Sequence, residues 1–291
     1  MDRPIQSWLV VGADGAIGRE LFRRLQIAGV PTVGTTRRPG SYPSMLHIDL
    51  GDDPSTWQLP EHVDVAFLCA AVTSIDRCRQ SPAETRFVNV EQTLRLAERL
   101  RSRDAHVVFL STNQVFDGEH ARQRHDAPQV PRTEYGRQKA EVEQALLKLG
   151  SSTVVRFTKV AASNMKLLHQ WCNTLARGET IAPLHDIVMS PVPLAFAAEV
   201  LQTVGKRKPG GIVQVSGECD VSYAEVALRL ARRLRVSPDL VRPIAVESAG
   251  LARELAPRNT TLNIARLAGL GLSVPPVCDT IDALIEEVVH E

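Results

Sequence analysis

Tyr135 and Lys139 stand four residues apart in the run Thr133-Glu134-Tyr135-Gly136-Arg137-Gln138-Lys139, a spacing that puts both on one face of a helix. A phenol can release a proton and an ammonium can hold an anion. Val142, Leu146 and Leu149 continue the stripe and turn the pair toward the protein interior. A lysine heading an apolar face is unusual unless its charge has work there. The chain has six lysines against 28 arginines, so a lysine here hints at a task that arginine would not serve. About two dozen residues upstream, the apolar run His106–Leu110 ends in Ser111-Thr112-Asn113-Gln114. A hydroxyl at the carboxyl end of a sheet strand stands where ligands bind in doubly wound folds.

A second constellation opens the chain. The apolar run Trp8–Val11 leads directly into Gly12-Ala13-Asp14-Gly15-Ala16-Ile17-Gly18, and a helical pattern follows. Glycines at such a turn allow a tight bend, close backbone approach to a pyrophosphate, and helix–strand packing. The helix that follows presents free N–H groups and a partial positive charge to phosphate. The position of the glycines, after a strand and before an amphipathic helix, makes them a dinucleotide signal. NAD sites usually carry an acid about 20 positions further on, which holds the ribose 2′-hydroxyl. Here the chain reads Thr35-Thr36-Arg37-Arg38. A guanidinium grips a 2′-phosphate with paired hydrogen bonds, so Arg37 and Arg38 favour NADP, with NADPH preferred and NAD still compatible. Asp49 and Leu50, closing the third strand, are candidate contacts to the adenine ring.

The elements that must position these residues follow from periodicity. Strands are expected at Trp8–Val11, Thr32–Thr36, Leu46–Asp49, Val63–Cys69, His106–Leu110 and Thr153–Phe157, several apolar throughout, as in a parallel sheet covered on both faces. Ile17, Leu21, Leu25 and Ala28 recur at helical spacing, as do Phe87, Val90, Leu94, Ala97 and Leu100. The alternation implies an α/β Rossmann fold, a doubly wound parallel sheet, with a smaller C-terminal substrate-binding lobe. The expected division is a coenzyme-binding domain over residues 1–160, completed by about 190–218, and a lobe from 161–189 and 219–291. Met165–Arg177 reads as a helix, Ser190-Pro191-Val192-Pro193 as a break, Lys206–Gly211 as a loop and Ile212–Ser216 as a strand. Ser222 with Glu225 gives a capping box before a helix to Leu234.

Composition bounds the rest. The 291 residues are 44% hydrophobic and 23% charged, with formal net charge +1, which favours neither nucleic acid nor a membrane as partner. No run approaches the roughly 18 apolar residues of a spanning helix, and the N-terminus has no signal-peptide pattern. Cys69, Cys78, Cys172, Cys219 and Cys278 suit buried thiols in a reduced, cytoplasmic setting. His47, His169 and His185 have no metal-ligand spacing, so no metal is expected.

Together these motifs resemble the short-chain dehydrogenase/reductase superfamily, its extended branch, and more narrowly the dTDP-4-dehydrorhamnose reductase family of sugar-nucleotide reductases. The resemblance rests on Gly12–Gly18, Cys69-Ala70-Ala71, Phe87-Val88-Asn89-Val90, Ser111–Gly118, Tyr135–Lys139, Ser190-Pro191-Val192 and Ser222-Tyr223. It implies that Tyr135 is the general acid, that Lys139 lowers its pKa and holds the nicotinamide ribose, and that Thr112 polarises the substrate carbonyl. Cys69, Ala70 and Ala71 are implied coenzyme contacts. Thr73, Asn113, Gln114, Arg253 and Arg258 are the candidate substrate contacts, the two arginines toward a diphosphate. The expected partner is a small molecule, a nucleotide sugar; a homodimer is compatible with the sequence.

The chain departs from the family twice. Relatives commonly read Thr-Asp-Tyr, and 4,6-dehydratases Thr-Asp-Glu, where this chain has Thr112-Asn113-Gln114. Amides cannot titrate, which argues against dehydration and against the usual deoxysugar. Relatives read Arg-Thr-Ser-Trp-Val-Tyr-Gly where this chain runs from Arg156 through Lys159 to Ala162, a segment that lies near the sugar in the family. The expectation is an NADPH-dependent keto reductase; the rivals are a sugar-nucleotide epimerase and a non-catalytic NADP-binding subunit.

Overall fold

The computed structural model describes residues 7–38, 40, 42–162, 165–250 and 256–290. The first half lays down β1 (Trp8–Val11), α1 (Ala16–Ile27), β2 (Thr32–Thr36), β3 (Leu46–His47) and β4 (Val65–Leu68). Short helices α2 (Ile75–Gln80) and α3 (Pro82–Arg86) lead through a π-helical segment, Phe87–Gln92, into α4 (Thr93–Arg101). Next come β5 (His106–Thr112), α5 (Glu134–Leu149), β6 (Ser152–Phe157) and β7 (Val160–Ala161). The remainder holds α6 (Lys166–Ala176), β8 (Val188–Met189), β9 (Val192–Pro193), α7 (Leu194–Arg207), β10 (Gly211–Val215) and β11 (Val221–Ser222). Helices α8 (Tyr223–Leu234), α9 (Ala265–Gly269) and α10 (Val277–His290) complete it.

Seven strands form one parallel sheet in the order β10-β6-β5-β4-β1-β2-β3, a doubly wound Rossmann-like fold. Alternate side chains enter different cores, as a period of two requires. Trp8, Val10, Val65 and Phe67 pack with α1 and α7, whereas Leu9, Val11, Ala66 and Leu68 pack with α4 and α5. Gly205 on α7 lets the backbone approach the sheet: a Cβ there would lie 2.7 Å from the Phe67 ring and 2.8 Å from Trp8. A separate apolar cluster joins α6, α8 and α10, and β10 carries the chain back to the edge of the main sheet beside β6.

Several boundaries differ from the sequence expectation. Only Leu46 and His47 pair with β2, since Asp49 bends away into a turn in which its carboxylate accepts from Gly51 N at 2.8 Å. The β5 strand runs on to Thr112 because Ser111 and Thr112 pair with Arg156 and Phe157. The expected loop at Lys206–Gly211 is shorter: Lys206 and Arg207 end α7, left-handed Lys208 (φ 46°) stops it, and Gly211 opens β10. Phe87 is 37% exposed although helical spacing places it inward. The wider π turn accompanies burial of Asn89 and Gln92 instead. Leu149, the last residue of α5, is exposed, while Val142 and Leu146 are fully buried. The capping box at Ser222 is present in full, the Glu225 carboxylate accepting from Ser222 N and the Ser222 hydroxyl from Glu225 N.

Candidate active site

The glycine loop lies at the carboxyl end of β1. Gly12 has φ +79°, a left-handed backbone open mainly to glycine. Its N–H donates to Thr35 Oγ1 at 3.2 Å, and Ala13 N donates to Thr35 O at 2.8 Å, so the loop is tied to the end of β2. A Cβ on Gly18 would fall 2.2 Å from Gly12 O, so only glycine lets α1 start this close to the turn. Gly15 caps α1 without a side-chain hydrogen bond, which leaves the first-turn N–H groups to an anion. These features fit the pyrophosphate of a dinucleotide.

Beside the loop, Asp14 Oδ2 accepts from Thr36 Oγ1 at 2.9 Å and from Arg38 Nε and an Arg38 terminal nitrogen at 2.9 and 2.7 Å. Partial burial opposes ionisation of Asp14, but the hydrogen bonds from Arg38 and Thr36 outweigh it and hold its carboxyl below the usual carboxylate range. Arg37 is exposed and has no ion pair among the described residues. Of the expected adenine contacts, Asp49 holds its own turn, while the Leu50 side chain is committed to the apolar core.

Thr112 ends β5, and Tyr135 lies in the first turn of α5. The helix begins at Thr133, whose hydroxyl accepts from Gly136 N at 3.0 Å and donates to Gln114 Oε1 at 2.9 Å. Gly136 docks the helix on the loop after β5: a Cβ there would sit 2.1 Å from Gln114 O. Gln114 N in turn donates to Thr112 Oγ1 at 3.2 Å. Gln114, a departure from the family pattern, thus meets the strand end through its backbone N–H and the helix cap through its side-chain oxygen.

Lys139 is buried, its Nζ donating to Leu110 O at 2.8 Å and lying 4.4 Å from the Phe109 ring centroid. Burial lowers its pKa to about 8. The Tyr135 hydroxyl, expected from the sequence to be lowered by Lys139, is instead pushed up by burial, with a small addition from Cys78. The lysine head is engaged with a backbone carbonyl, 5.8 Å from the tyrosine ring centroid, and desolvation of the phenol prevails. Cys69, raised to about 12 by burial, is a thiol rather than a thiolate here.

A cleft of about 510 Å³ brings Ile17, Cys69, Ala71, Thr112, Tyr135 and Lys139 to one space, with Thr73, Asn113 and Gln114 also on its wall. Ser111 Oγ is buried on that wall without a hydrogen-bond partner among the described residues, an orphaned donor that fits a polar ligand. Asn89 organises the neighbouring loop: its amide accepts from Val72 N at 2.7 Å, donates to Val72 O at 2.9 Å and reaches Gln138 Oε1 at 2.8 Å.

Other expected contacts fall elsewhere. Arg258 is exposed and pairs with Glu119 at 3.6 Å, off the cleft wall; Arg253 lies outside the described residues. Arg132, also paired with Glu119, lines the cleft in their place, as does Lys159. Arg156, which heads the segment expected near the sugar, is 1% exposed and bound instead to Glu143 at 2.7 Å beneath the Phe116 ring. Phe157, Thr158, Lys159 and Val160 do reach the cleft. Tyr223, Pro257 and Thr260 also line it; they come from segments a hundred or so residues downstream, and their spacing alone does not assign them to the site. Among the described residues no helix is long and apolar enough to cross a membrane, and no group of three or more His, Cys, Asp or Glu could hold a metal.

A glycine loop and a Thr–Tyr–Lys set at the carboxyl ends of parallel strands, sharing one cleft, define a class: the NAD(P)-dependent oxidoreductases of the extended short-chain dehydrogenase/reductase type. Within it, the chain belongs to the RmlD substrate binding domain family, whose model matches residues 6–289. It is 32% identical to a probable dTDP-4,6-dihydroxy-2-methyloxan-3-one 4-ketoreductase of Streptomyces antibioticus, over 96% of this chain and 93% of that one. It is 30% identical to a dTDP-4-dehydrorhamnose reductase of Streptomyces griseus, over 92% and 89% of the two chains. Among solved structures, a dTDP-4-dehydrorhamnose reductase of Bacillus anthracis in complex with NADP superposes with TM-score 0.81 at 18% identity, covering 99% of this chain and 100% of that one.

Proposed function

We propose that this protein reduces a keto group on a nucleotide-activated sugar, using NADPH by preference. The observation that carries the reading is the convergence of Thr112, Tyr135 and Lys139 on the cleft that also receives Ile17 from the glycine-loop helix. The names of the relatives, sugar-nucleotide reductases, support the substrate class.

Gly12, Gly15, Ala16, Ile17 and Gly18 would hold the coenzyme pyrophosphate, with Ala70 and Ala71 beside it and Arg37 and Arg38 toward a 2′-phosphate. When bound, the nicotinamide supplies a hydride to the substrate carbonyl carbon. Thr112 Oγ1 donates to the carbonyl oxygen and draws charge toward it. Tyr135 Oη then gives its proton to the developing alkoxide. The burial that raises the Tyr135 pKa suits this role, because the phenol keeps its proton until an oxyanion forms. Lys139, charged below about pH 8, stabilises the tyrosinate left behind and offers its other hydrogens to a ribose hydroxyl. Asn113 and Gln114, as amides, position substrate and helix and move no proton.

The test is a panel of nucleotide 4-keto sugars incubated with NADPH or NADH, following loss of reduced-coenzyme absorbance. Steady oxidation by one member, abolished in Tyr135→Phe, is the expected result. Interconversion of a sugar without net coenzyme loss would replace the reductase by an epimerase. Tight NADPH binding without turnover of any carbonyl would leave a binding subunit.

A further inference from the structure

The end of β2 lacks the acidic residue that marks NAD sites, and Arg37-Arg38 follows instead. The fold nevertheless brings a carboxylate to that place. Asp14, from the glycine loop, lies on Thr36, the last residue of β2, and takes two hydrogen bonds from Arg38. Its side chain is 11% exposed, against 57% for Arg38. The acid is therefore held beneath its partner, and Arg38 lies above it on the exposed side, 5.8 Å from the Tyr42 ring centroid. Arg38 N also donates to Thr36 Oγ1 at 3.0 Å, so the backbone that carries both arginines is fixed by the residue that fixes Asp14. The adenosine ribose of a dinucleotide rests at this strand end, and groups there read its 2′ substituent.

We infer that Asp14 is the residue that sets coenzyme choice, through competition with a 2′-phosphate for Arg38. With a 2′-hydroxyl, the Asp14–Arg38 pair stays closed and the carboxylate has lone pairs left to accept from the ribose. With a 2′-phosphate, Arg38 must turn from Asp14 to the phosphate, and the uncovered carboxylate repels it. Arg37, without such a partner, supplies the net attraction. The protein thus binds both coenzymes, and Asp14 narrows a preference for NADPH that the two arginines alone would make steep. The inference rests on the proposed reading of the cleft as a dinucleotide oxidoreductase.

Dissociation constants for NADPH and NADH, measured separately by reduced-nicotinamide fluorescence on the full chain, test it without any turnover. Asn at position 14 keeps an acceptor for Thr36, so Asp14→Asn removes the charge and little else. The ratio of NADH to NADPH dissociation constants should rise about tenfold in Asp14→Asn and fall by a similar factor in Arg38→Gln. The double variant should depart from the product of the two single effects, because the residues touch. Should Asp14→Asn prove unfolded by its melting curve, Asp14→Ser, which also keeps an acceptor for Thr36 and removes the charge, carries the test through the same rise in the ratio. Both coenzymes bound, with the ratio within about twofold of the parent in every folded variant, would overturn the role of Asp14 and leave the oxidoreductase reading intact. Binding of neither coenzyme by the parent protein would overturn that reading, and this inference with it.

Discussion

Tyr135 and Lys139 are both buried, and burial shifts them in opposite senses: the phenol upward, the ammonium down to about 8. Each shift opposes the charged form, so near neutrality the pair is a protonated acid beside a cation. Tyr135→Phe should lower kcat by about 10²–10⁴-fold while leaving coenzyme affinity nearly unchanged, a split that binding and single-turnover measurements resolve. Turnover in the parent should decline as the pH rises past about 8, since Lys139 then loses its proton. An alkaline limb unchanged in position by Lys139→Arg would contradict that assignment. Residues of the same polarity elsewhere have other duties. The Arg156–Glu143 pair, with side chains 2% and 0% exposed, is a structural brace in which Glu143 also accepts from Gln129. Removing one buried partner strands the other charge, so Glu143→Ala should destabilise the fold by about 3–5 kcal/mol, read from urea unfolding.

At the scale of elements, the site depends on two close approaches of a helix to a loop. Helix α1 approaches the turn after β1 through Gly18, and α5 approaches the loop after β5 through Gly136. In each case the atom a Cβ would meet is a backbone oxygen, which cannot swing aside as a side chain can. Gly136→Ala should therefore shift the start of α5 and move Tyr135 away from Thr112. Activity should fall by a factor comparable to loss of the acid, about 10²-fold or more, with NADPH binding retained. Gly18→Ala should show the reverse pattern, losing coenzyme affinity first. Equal effects of both changes on coenzyme binding would show that the two approaches are not separate devices. The π-helical turn at Phe87–Gln92 serves the same end, since it aims Asn89 at the loop that follows β4.

Across the whole molecule, a parallel sheet and a second apolar cluster enclose the cleft from two sides. The amino end of an interior strand carries a titratable group, at the opposite end of β5 from Thr112. His106, at the start of β5, is 6% exposed and bonded to Thr153 Oγ1 at 2.9 Å. Burial, with Lys208 and Arg101 nearby, lowers its pKa to about 4. The unfolded chain takes up the proton below about pH 6.5, whereas the folded protein resists until about pH 4. Stability is then fully present above pH 6.5 and is lost as the pH falls through that window, by up to about 3 kcal/mol. Thermal unfolding followed from pH 7 to 4 should show this slope, and His106→Gln should flatten it.

The parts legible in the sequence were those encoded by neighbours along the chain. Alternating apolar runs specify strands, the spacing of Gly12, Gly15 and Gly18 between a strand and a helix marks the turn, and Tyr135 and Lys139 share a face because a helix turns every 3.6 residues. What only the tertiary structure decided lies between distant segments. The Asp14 carboxylate meets Arg38 across 24 residues, Asn89 reaches Gln138 across 49, and Asp220 binds Thr260 across 40. A residue type and its spacing carry no record of such pairings, since the same arginine is a phosphate ligand, a surface charge or a buried brace according to what the fold places opposite it. That is why Arg37, Arg38, Arg156 and Arg258, alike in the sequence, have four different settings in the protein.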